Sequence, residues 1–572
     1  MYYTSAAASE KLGVTRRRIN AMCQKGEIYG ARKDGNHWTV PESFVNSRLY
    51  GANRTFNTAG ICIPGEHYMV DISERLAEAK KLVDAGRYFT LNRARQFGKT
   101  TMLHALSSYL SRDYLVISLD FQMQMSSSKF RSENTFSLAF AKAVIAAFPA
   151  TQENADALEG FKASCAGGGG DYDLVELFSA ISAMCGAVSR PVVLIIDEVD
   201  SAANNQVFLD FLAQLRGYYI NRDRFPAFHS VILAGVCDIR NLRRKLRPED
   251  EHRDNSPWNI AADFGVDMSF SAEQIRQMLD EYELDRHTGM DTAAAARLIF
   301  DYTGGYPYLV SRICCLADAS GRSDAWSRSG ISDMVCQLLK EPDSLFDDIG
   351  KKLRDYPELR TMIYNLLFCG KSIPYNTAAE LVSIGTMFGF LKEDNGQVAV
   401  ANRIFETWLY NLFIATEASG SPTYDAGQNA KSQFISGGEL NMRRVLEKFT
   451  EHYTEAFYGS SDKFIEDNGR KLFLLYIRPI INGTGNYYIE SRTRSMGRTD
   501  LIIDYKGSQY VIEMKIWHGE EYNSRGEKQL AGYLEEYDLQ TGYMVSFNFN
   551  RSKHPGVHEI TIDNKTIVEA VV

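Results

Sequence analysis

Four short, nearly unbroken apolar runs mark the region 69–320: Tyr88–Leu91, Tyr114–Asp120, Val192–Asp197 and Ser230–Gly235. Their continuous apolar character reads as strands buried on both faces. Segments of helical periodicity separate them, and strands alternating with helices predict a parallel sheet covered on both sides. Residues 1–49 carry their own punctuation. Thr4–Leu12 reads as a short helix broken by Gly13. A second helix follows, capped by Thr15 and ended by Gly26, and Ile28–Val40 reads as a hairpin turned at Asp34-Gly35-Asn36, with Trp38 inward and Pro41 closing it. Residues 50–68 read as irregular. Residues 321–416 are mostly helical, with a hairpin near Phe390–Val400 turned at Asp394-Asn395-Gly396. Residues 417–438 hold Gly420, Pro422, Gly427 and Gly437 among polar residues, a linker composition. From 439 to 572 the order is helix, helix, strands, helix, strands. The expectation is a multidomain α/β chain divided into 1–49, 58–320, 321–416, a linker at 417–438, and 439–572.

Composition narrows the chemistry. The chain has 572 residues, 45% hydrophobic and 24% charged, enough for several cores. Its formal net charge of −9 excludes a protein coated in basic charge, so any nucleic-acid contact must come from local patches. Nine cysteines, none in a Cys-x-x-Cys pair, point to neither a disulfide framework nor a zinc site, and fit a reducing cytoplasm. No signal-peptide pattern opens the sequence, and no apolar run approaches the roughly 18 residues a membrane helix needs. A cytoplasmic protein without membrane association is expected.

The strand Tyr88–Leu91 runs into Asn92-Arg93-Ala94-Arg95-Gln96-Phe97-Gly98-Lys99-Thr100-Thr101, and a helix is expected from Lys99 to Leu110. Strand, loop, Gly-Lys-Thr and helix make a P-loop arrangement, in which backbone N–H groups at a helix N-terminus wrap phosphate. Lys99 would reach the β- and γ-phosphates of ATP, the Thr100 hydroxyl would ligate Mg²⁺, and Arg95 and Thr101 would complete the phosphate site. Arg93 stands where the full pattern has its first glycine. The second half of the site is Pro191-Val192-Val193-Leu194-Ile195-Ile196-Asp197-Glu198, a strand ending in two acids. Asp197 would hold the Mg²⁺ shell and Glu198 would orient and deprotonate the attacking water.

On these stretches, and on Val231-Ile232-Leu233-Ala234-Gly235-Val236 and Tyr302-Thr303-Gly304-Gly305-Tyr306-Pro307-Tyr308-Leu309, the chain over about 58–572 resembles AAA-type ATPase-like proteins of bacteria and archaea that carry a C-terminal PD-(D/E)xK nuclease domain. That group usually has Arg-Pro-Arg-Arg-Phe-Gly-Lys at the loop, so the missing glycine is normal there. Ala94 and Gln96 depart from its pattern. Asp238 or Arg240, past the fourth strand, read first as a surface pair and second as a sensor of γ-phosphate. The resemblance implies defence against foreign DNA or mobile elements, and leaves both a monomer and a homo-oligomer open.

Farther on, Gly497–Tyr505 reads as a strand, Lys506-Gly507-Ser508-Gln509 as a turn, and Tyr510–Ile516 as the returning strand. With a four-residue turn, 505 pairs with 510, 502 with 513, and 500 with 515. Asp500, Glu513 and Lys515 then share one face, with Met514 on the other. Two carboxylates and a lysine so placed suit metal-dependent phosphodiester hydrolysis: Asp500 and Glu513 as Mg²⁺ ligands, Lys515 to position or activate water. They fill the slots of the PD-(D/E)xK pattern. That resemblance further implies an acid from an early helix, for which Glu466 is the candidate and Glu490 the reserve, and a supporting Gln529.

The first fifty residues carry eight Lys/Arg against four Asp/Glu. Through Leu12-Gly13-Val14-Thr15-Arg16-Arg17 and Gly35-Asn36-His37-Trp38-Thr39-Val40-Pro41 they resemble excisionase or MerR-like winged helix-turn-helix modules. That implies Arg16, Arg17 and Asn20 as DNA contacts from the second helix, and Arg32 and Lys33 along the backbone from the wing. Residues 351–415 read as a further winged helix. The leading expectation is therefore an ATP-binding and ATP-hydrolysing DNA-binding protein with an Mg²⁺-dependent nuclease. The alternative is a nucleotide-switched regulator or scaffold whose nuclease fold is silent. RNA stays open as a target.

Overall fold

The structure is a computed structural model. It describes residues 2–24, 28, 31–35, 37–42, 44–45, 54–167, 172–202, 205–236, 260–368, 371–418, 420–457, 466–481, 485–493, 497–517, 526–528, 530–532, 534–535, 539–548 and 554–572; within these, the side chains of 34, 263, 457, 466–468, 470, 486–493, 497–500 and 516 lie outside the description. The chain forms two compact units. One comprises 1–287, 306–311 and 387–389, and the other 288–305, 312–386 and 390–572.

The first unit opens with three short strands, β1 (Tyr2–Thr4), β2 (Arg32–Asp34) and β3 (His37–Pro41), in the antiparallel order β1-β3-β2. The expected hairpin is present, with Asp34 paired to His37. Strand β1 was not expected; it occupies the residues just before the first helix. That helix runs Ser5–Leu12, because Thr4 is extended and its hydroxyl accepts from Ala7 N while Gly13 closes it at φ 63°. The second is Arg16–Gln24, and its expected end at Gly26 lies outside the described residues. Ala8, Ile19, Cys23, Ile28 and Val40 form the small core.

The larger sheet holds β4 (Phe89–Asn92), β5 (Leu115–Asp120), β6 (Val192–Asp197), β7 (Ser230–Gly235) and β8 (Ala262–Asp263), all parallel, in the order β5-β6-β7-β4-β8. The apolar runs explain this. Along β6, Val192, Leu194 and Ile196 enter one core with Phe121, Phe140 and Phe211, while Val193 and Ile195 enter the opposite core with Leu91, Leu103 and Ile232. A strand buried on both faces has no polar positions to alternate. Residues 50–68 read as irregular, yet they hold a deep anchor. Arg54, 1% exposed, pairs with Glu281 at 2.7 Å and Asp285 at 2.8 Å, and lies over the Tyr68 ring.

In the second unit, β9 (Leu391–Asp394) and β10 (Gln397–Val400) form the expected hairpin, with Asn395 and Gly396 at φ 50° and 79°. Residues 417–438 do not form an open linker. They carry the helix Pro422–Ala430, capped by the Ser421 hydroxyl with Pro422 in its first turn. Gly427 meets the Tyr476 carbonyl so closely that a Cβ would lie 2.0 Å from it. Glycine here permits packing rather than slack. After a small pair, β11 (Ile435–Ser436) and β12 (Glu439–Leu440), and the helices Met442–Phe457 and Glu466–Ile481, comes a mixed six-stranded sheet. Its strands are β13 (Gly485–Thr493), β14 (Gly497–Tyr505), β15 (Ser508–Ile516), β16 (Thr541–Phe547), β17 (Gly556–Ile562) and β18 (Lys565–Val571), in the order β13-β14-β15-β16-β18-β17. Strands β15, β16 and β18 are parallel neighbours; the outer pairings are antiparallel.

The β14–β15 register corrects the sequence expectation. Tyr505 pairs with Ser508, and Ile502 with Val511. The turn has two residues, not four, because Lys506 and Gly507 both take positive φ (48° and 82°), the geometry that matches the twist of a tight hairpin. The shift is two positions, so every side chain keeps its face. Among the described residues, no helix is long and apolar enough to cross a membrane.

Removing the buried Arg54 guanidinium would leave Glu281 and Asp285 uncompensated. We expect Arg54→Ala to lose about 3–5 kcal/mol, read as a drop in the urea unfolding midpoint at unchanged slope.

Candidate functional site: a P-loop and a carboxylate–lysine hairpin

The candidate nucleotide site is built where β4 and β6 end. The helix after β4 spans Lys99–Leu110, as expected, and Gly98 precedes it at φ 80°. In the loop, Gln96 is also left-handed (φ 57°), as is Glu198 (φ 54°) past β6. Non-glycine residues pay roughly 1–2 kcal/mol for this conformation, so its occurrence at both ends of one site marks a surrounding structure that enforces it. Thr100 Oγ1 donates to Asp197 Oδ2 at 2.8 Å, although one strand, β7, separates the two parent strands. Asp197 Oδ1 accepts from Glu198 N at 2.8 Å.

Lys99 is 6% exposed. Its Nζ donates to the carbonyls of Arg93 and Ala94, both at 3.1 Å. Burial lowers its pKa, opposed by Glu198, Asp200 and Asp197. Burial raises the Glu198 pKa; Lys99 opposes this, while Asp197 and Asp200 add to it. A lysine held by loop carbonyls at a helix N-terminus suits a polyphosphate by its chemistry, since an anion would supply the compensation that the carbonyls only partly give. A hydroxyl and a carboxylate oxygen 2.8 Å apart are hard donors that fit Mg²⁺. Thr100 and Asp197 would hold the ion. Thr101 Oγ1 accepts from Cys62 N at 3.1 Å, which ties the preceding segment to the loop. Arg95 is exposed at the loop surface.

Two residues gain roles that sequence reasoning missed. Arg93 does not face phosphate. Its guanidinium donates to the carbonyls of Asn92, Phe264 and Val266 at 2.8, 3.0 and 2.6 Å, pinning the loop's start to the chain after β8. Asp200 joins the acidic cluster and accepts from Val236 N at 2.6 Å, so it fixes the end of β7. Its signal was a third acid in Asp-Glu-Val-Asp; that of Arg93 was the departure from glycine. Asp238 and Arg240 lie outside the described residues.

On the C-terminal sheet, Glu513 (1% exposed) and Lys515 come together: Nζ to Oε1 is 2.9 Å. Gly526 lies over the lysine stem, where a Cβ would sit 3.3 Å from Cε. Extending the observed register by one residue beyond Leu501–Ile512 sets Asp500 opposite Glu513, rather than opposite Lys515. The side chains of Asp500, Glu466 and Glu490, and all of Gln529, lie outside the description. Glu466 opens its helix, and Glu490 pairs with Thr499 beside a register shift.

In the N-terminal unit, Arg17 and Lys33 are exposed. Arg16 is held by Ser5 Oγ (3.3 Å) and His37 Nδ1 (3.1 Å), and Arg32 lies over the Tyr2 ring at 4.6 Å. Asn20 Oδ1 is buried without a hydrogen-bond partner among the described residues, so this amide faces inward.

A family model described as an AAA-like domain matches residues 67–320. Residues 67–320 are thus similar to an AAA-like domain, within a multidomain α/β protein. No curated protein gives a match. Among solved structures, the chain is similar to a Walker-type ATPase of Pyrococcus abyssi (TM-score 0.44, 13% identity, covering 62% of this chain and 99% of that one). It is also similar to the Aeropyrum pernix ORC2 protein in its ADP form (0.34, 12%, 63% and 97%) and to the Aeropyrum pernix ORC1 protein in complex with DNA (0.26, 13%, 61% and 94%). At these scores the likeness carries nothing about activity.

Restoring glycine at the loop's start should harm the fold rather than help the ligand. Arg93→Gly is expected to lower the melting temperature, whereas Lys99→Ala should abolish nucleotide binding with little change in melting; fluorescent-nucleotide titration beside thermal unfolding separates the two.

Proposed function

We propose that the chain binds and hydrolyses ATP with Mg²⁺ at the P-loop, and cleaves DNA by Mg²⁺-dependent phosphodiester hydrolysis at the β14–β15 hairpin. At the first site Lys99 offsets charge on the transferred phosphoryl group, and Glu198 orients water and takes its proton. When bound, Mg²⁺ supplies Lewis-acid charge to the phosphate oxygens. At the second site Asp500 and Glu513 are the metal ligands, Lys515 positions the attacking water and offsets phosphate charge, and Glu466 is the supporting acid. The observation that carries this reading is the buried Glu513 paired with the partly exposed Lys515, with Asp500 opposite Glu513 when the register is extended by one residue. A desolvated acid and base held together on a central strand are costly for stability alone. Arg17 and Lys33, with Arg16 and Arg32, give the N-terminal module its DNA-facing positions, whereas the inward Asn20 amide does not join them; cytoplasmic location and self-assembly belong to the same proposal.

The second reading is a nucleotide-switched regulator whose sheet no longer cuts. It draws on Lys515 closing over a nearly inaccessible Glu513. Incubating the full chain with plasmid, Mg²⁺ and ATP decides between them. Wild type should nick or linearise the DNA, and Asp500→Ala, Glu513→Gln and Lys515→Ala should each slow this by at least about a hundredfold. Equal cleavage by Asp500→Ala and wild type, or no cleavage of any DNA tried, sinks the nuclease reading.

The ATPase should also show a displaced acid limb. Glu198 must be ionised to accept a proton, and burial raises its pKa. Hydrolysis should therefore fail, as pH falls, at a higher pH than the roughly 4.3 of an ordinary glutamate. An ATPase pH profile at saturating nucleotide reads this directly.

A further inference from the structure

The chain passes from one compact unit to the other at Gly305–Tyr306. A buried tyrosine anchors each side of the crossing within its own unit. In the first unit, the Tyr306 hydroxyl donates to the Arg95 carbonyl, and its ring meets Phe97 edge-on with centroids 4.7 Å apart. Gly389, at the other short return into this unit, presses on the same loop: a Cβ there would lie 2.7 Å from Ala94 Cβ. The outer side of the P-loop is thus held by Tyr306 and Gly389.

In the second unit, Tyr302 donates to Asp504 Oδ2 on β14. Asp504 is 3% exposed; burial raises its pKa, and hydrogen bonds from Tyr302 and Gln509 oppose that rise. The same hairpin is gripped twice more. Arg328 donates to Gln509 Oε1, and the turn packs so closely on Ser329 that a Cβ on Gly507 would lie 2.6 Å from Ser329 Cβ. This is the hairpin that carries Asp500, Glu513 and Lys515. Only Thr303, Gly304 and Gly305 separate the two tyrosines. The glycines are left-handed, at φ 57° and 75°, Gly305 N donates to Thr303 Oγ1 at 3.1 Å, and a Cβ on Gly304 would lie 3.1 Å from the Ala401 carbonyl oxygen, a tight contact. The connection between the two tyrosines is three residues long.

We propose that Tyr302 and Asp504 are positioning residues that couple occupancy of the P-loop to the hairpin bearing Glu513 and Lys515. Phosphate entering the loop engages the backbone around Arg95–Gly98, whose outer face Tyr306 holds. Three residues carry any shift of Tyr306 to Tyr302, at the end of the helix Thr292–Thr303, and the Tyr302 hydroxyl passes it to β14. The proposal rests on the reading above for its biological sense, but the coupling has its own readout.

Hydrogen exchange of the full chain, with and without ATP and Mg²⁺, tests it. Peptides spanning 497–516 should change their uptake on nucleotide addition in wild type and not in Lys99→Ala. Tyr302→Phe, which keeps the ring and loses the donor, should bind nucleotide as wild type does and lose the response at 497–516. If that variant fails to fold, Tyr306→Phe, which cuts the other anchor, should lose the response in the same way. A wild-type chain whose 497–516 exchange ignores nucleotide overturns the coupling, as does a Tyr302→Phe chain that responds fully. Cleavage supplies the second arm. ATP should change the wild-type rate on the order of tenfold, and the ratio should fall to near one in Tyr302→Phe. A chain that shows the exchange response but never cuts DNA overturns the nuclease reading and upholds the coupling; cleavage indifferent to ATP does the reverse.

Discussion

One buried cation organises the nucleotide site. Lys99 is taken out of water at a helix N-terminus, where the helix dipole already adds positive potential. Desolvation and dipole both disfavour its charge. What keeps the ammonium tolerable is the pair of loop carbonyls and the field of Asp197, Glu198 and Asp200. The rest of the first unit supplies these groups. The parallel sheet ends β4 and β6 at a common edge, Arg93 pins the start of the loop, and Asp200 pins the end of β7. The left-handed residues Gln96 and Glu198 turn the backbone where the carbonyls and the acid must face the lysine. The acids lie on one side of the lysine and the helix N-terminus on the other, an asymmetry that suits the proposed nucleotide hydrolysis.

The second unit meets the same difficulty differently. Glu513 and Lys515 are two residues apart on a strand, so they share a face, and burial then forces them into an ion pair. The pair sits on β15, between an antiparallel and a parallel neighbour, and the hairpin that holds it is closed by the tightest turn available. That turn and Asp504 are held by Tyr302, Arg328 and Ser329. Support of this kind suits the proposed hydrolysis, because errors of an ångström in position are costly to rate.

Much of this was legible in the residues. The strands of the parallel sheet were readable because double-sided burial removes polar alternation, and Val192–Asp197, Ser230–Gly235 and Lys99–Leu110 have the bounds their patterns gave. Tyr88–Leu91 came out one residue later, since strand ends depend on which backbone groups find partners. The shared face of Glu513 and Lys515 was readable because a strand's period is two, and a register error of two positions does not move a residue to the other face. The turn itself was misjudged because Lys506 gives no sequence sign of its positive φ. Pro422 and Gly427 misled in the other direction: punctuation that usually opens a chain here starts a helix and lets it pack closely.

What sequence alone determined was local and periodic: which segments are strands or helices, which residues share a face, and that Gly98-Lys99-Thr100 stands before a helix while Asp197-Glu198 ends a strand. Each follows from a spacing of a few residues. What only the tertiary structure decided was which distant groups meet. Thr100 reaches Asp197 across an intervening strand, Arg93 spends its charge on the carbonyls of Phe264 and Val266, and Tyr302 finds Asp504 some two hundred residues on. No local pattern encodes these partners, because each is set by strand order and packing, and a buried polar group takes whatever donor or acceptor the fold brings within reach.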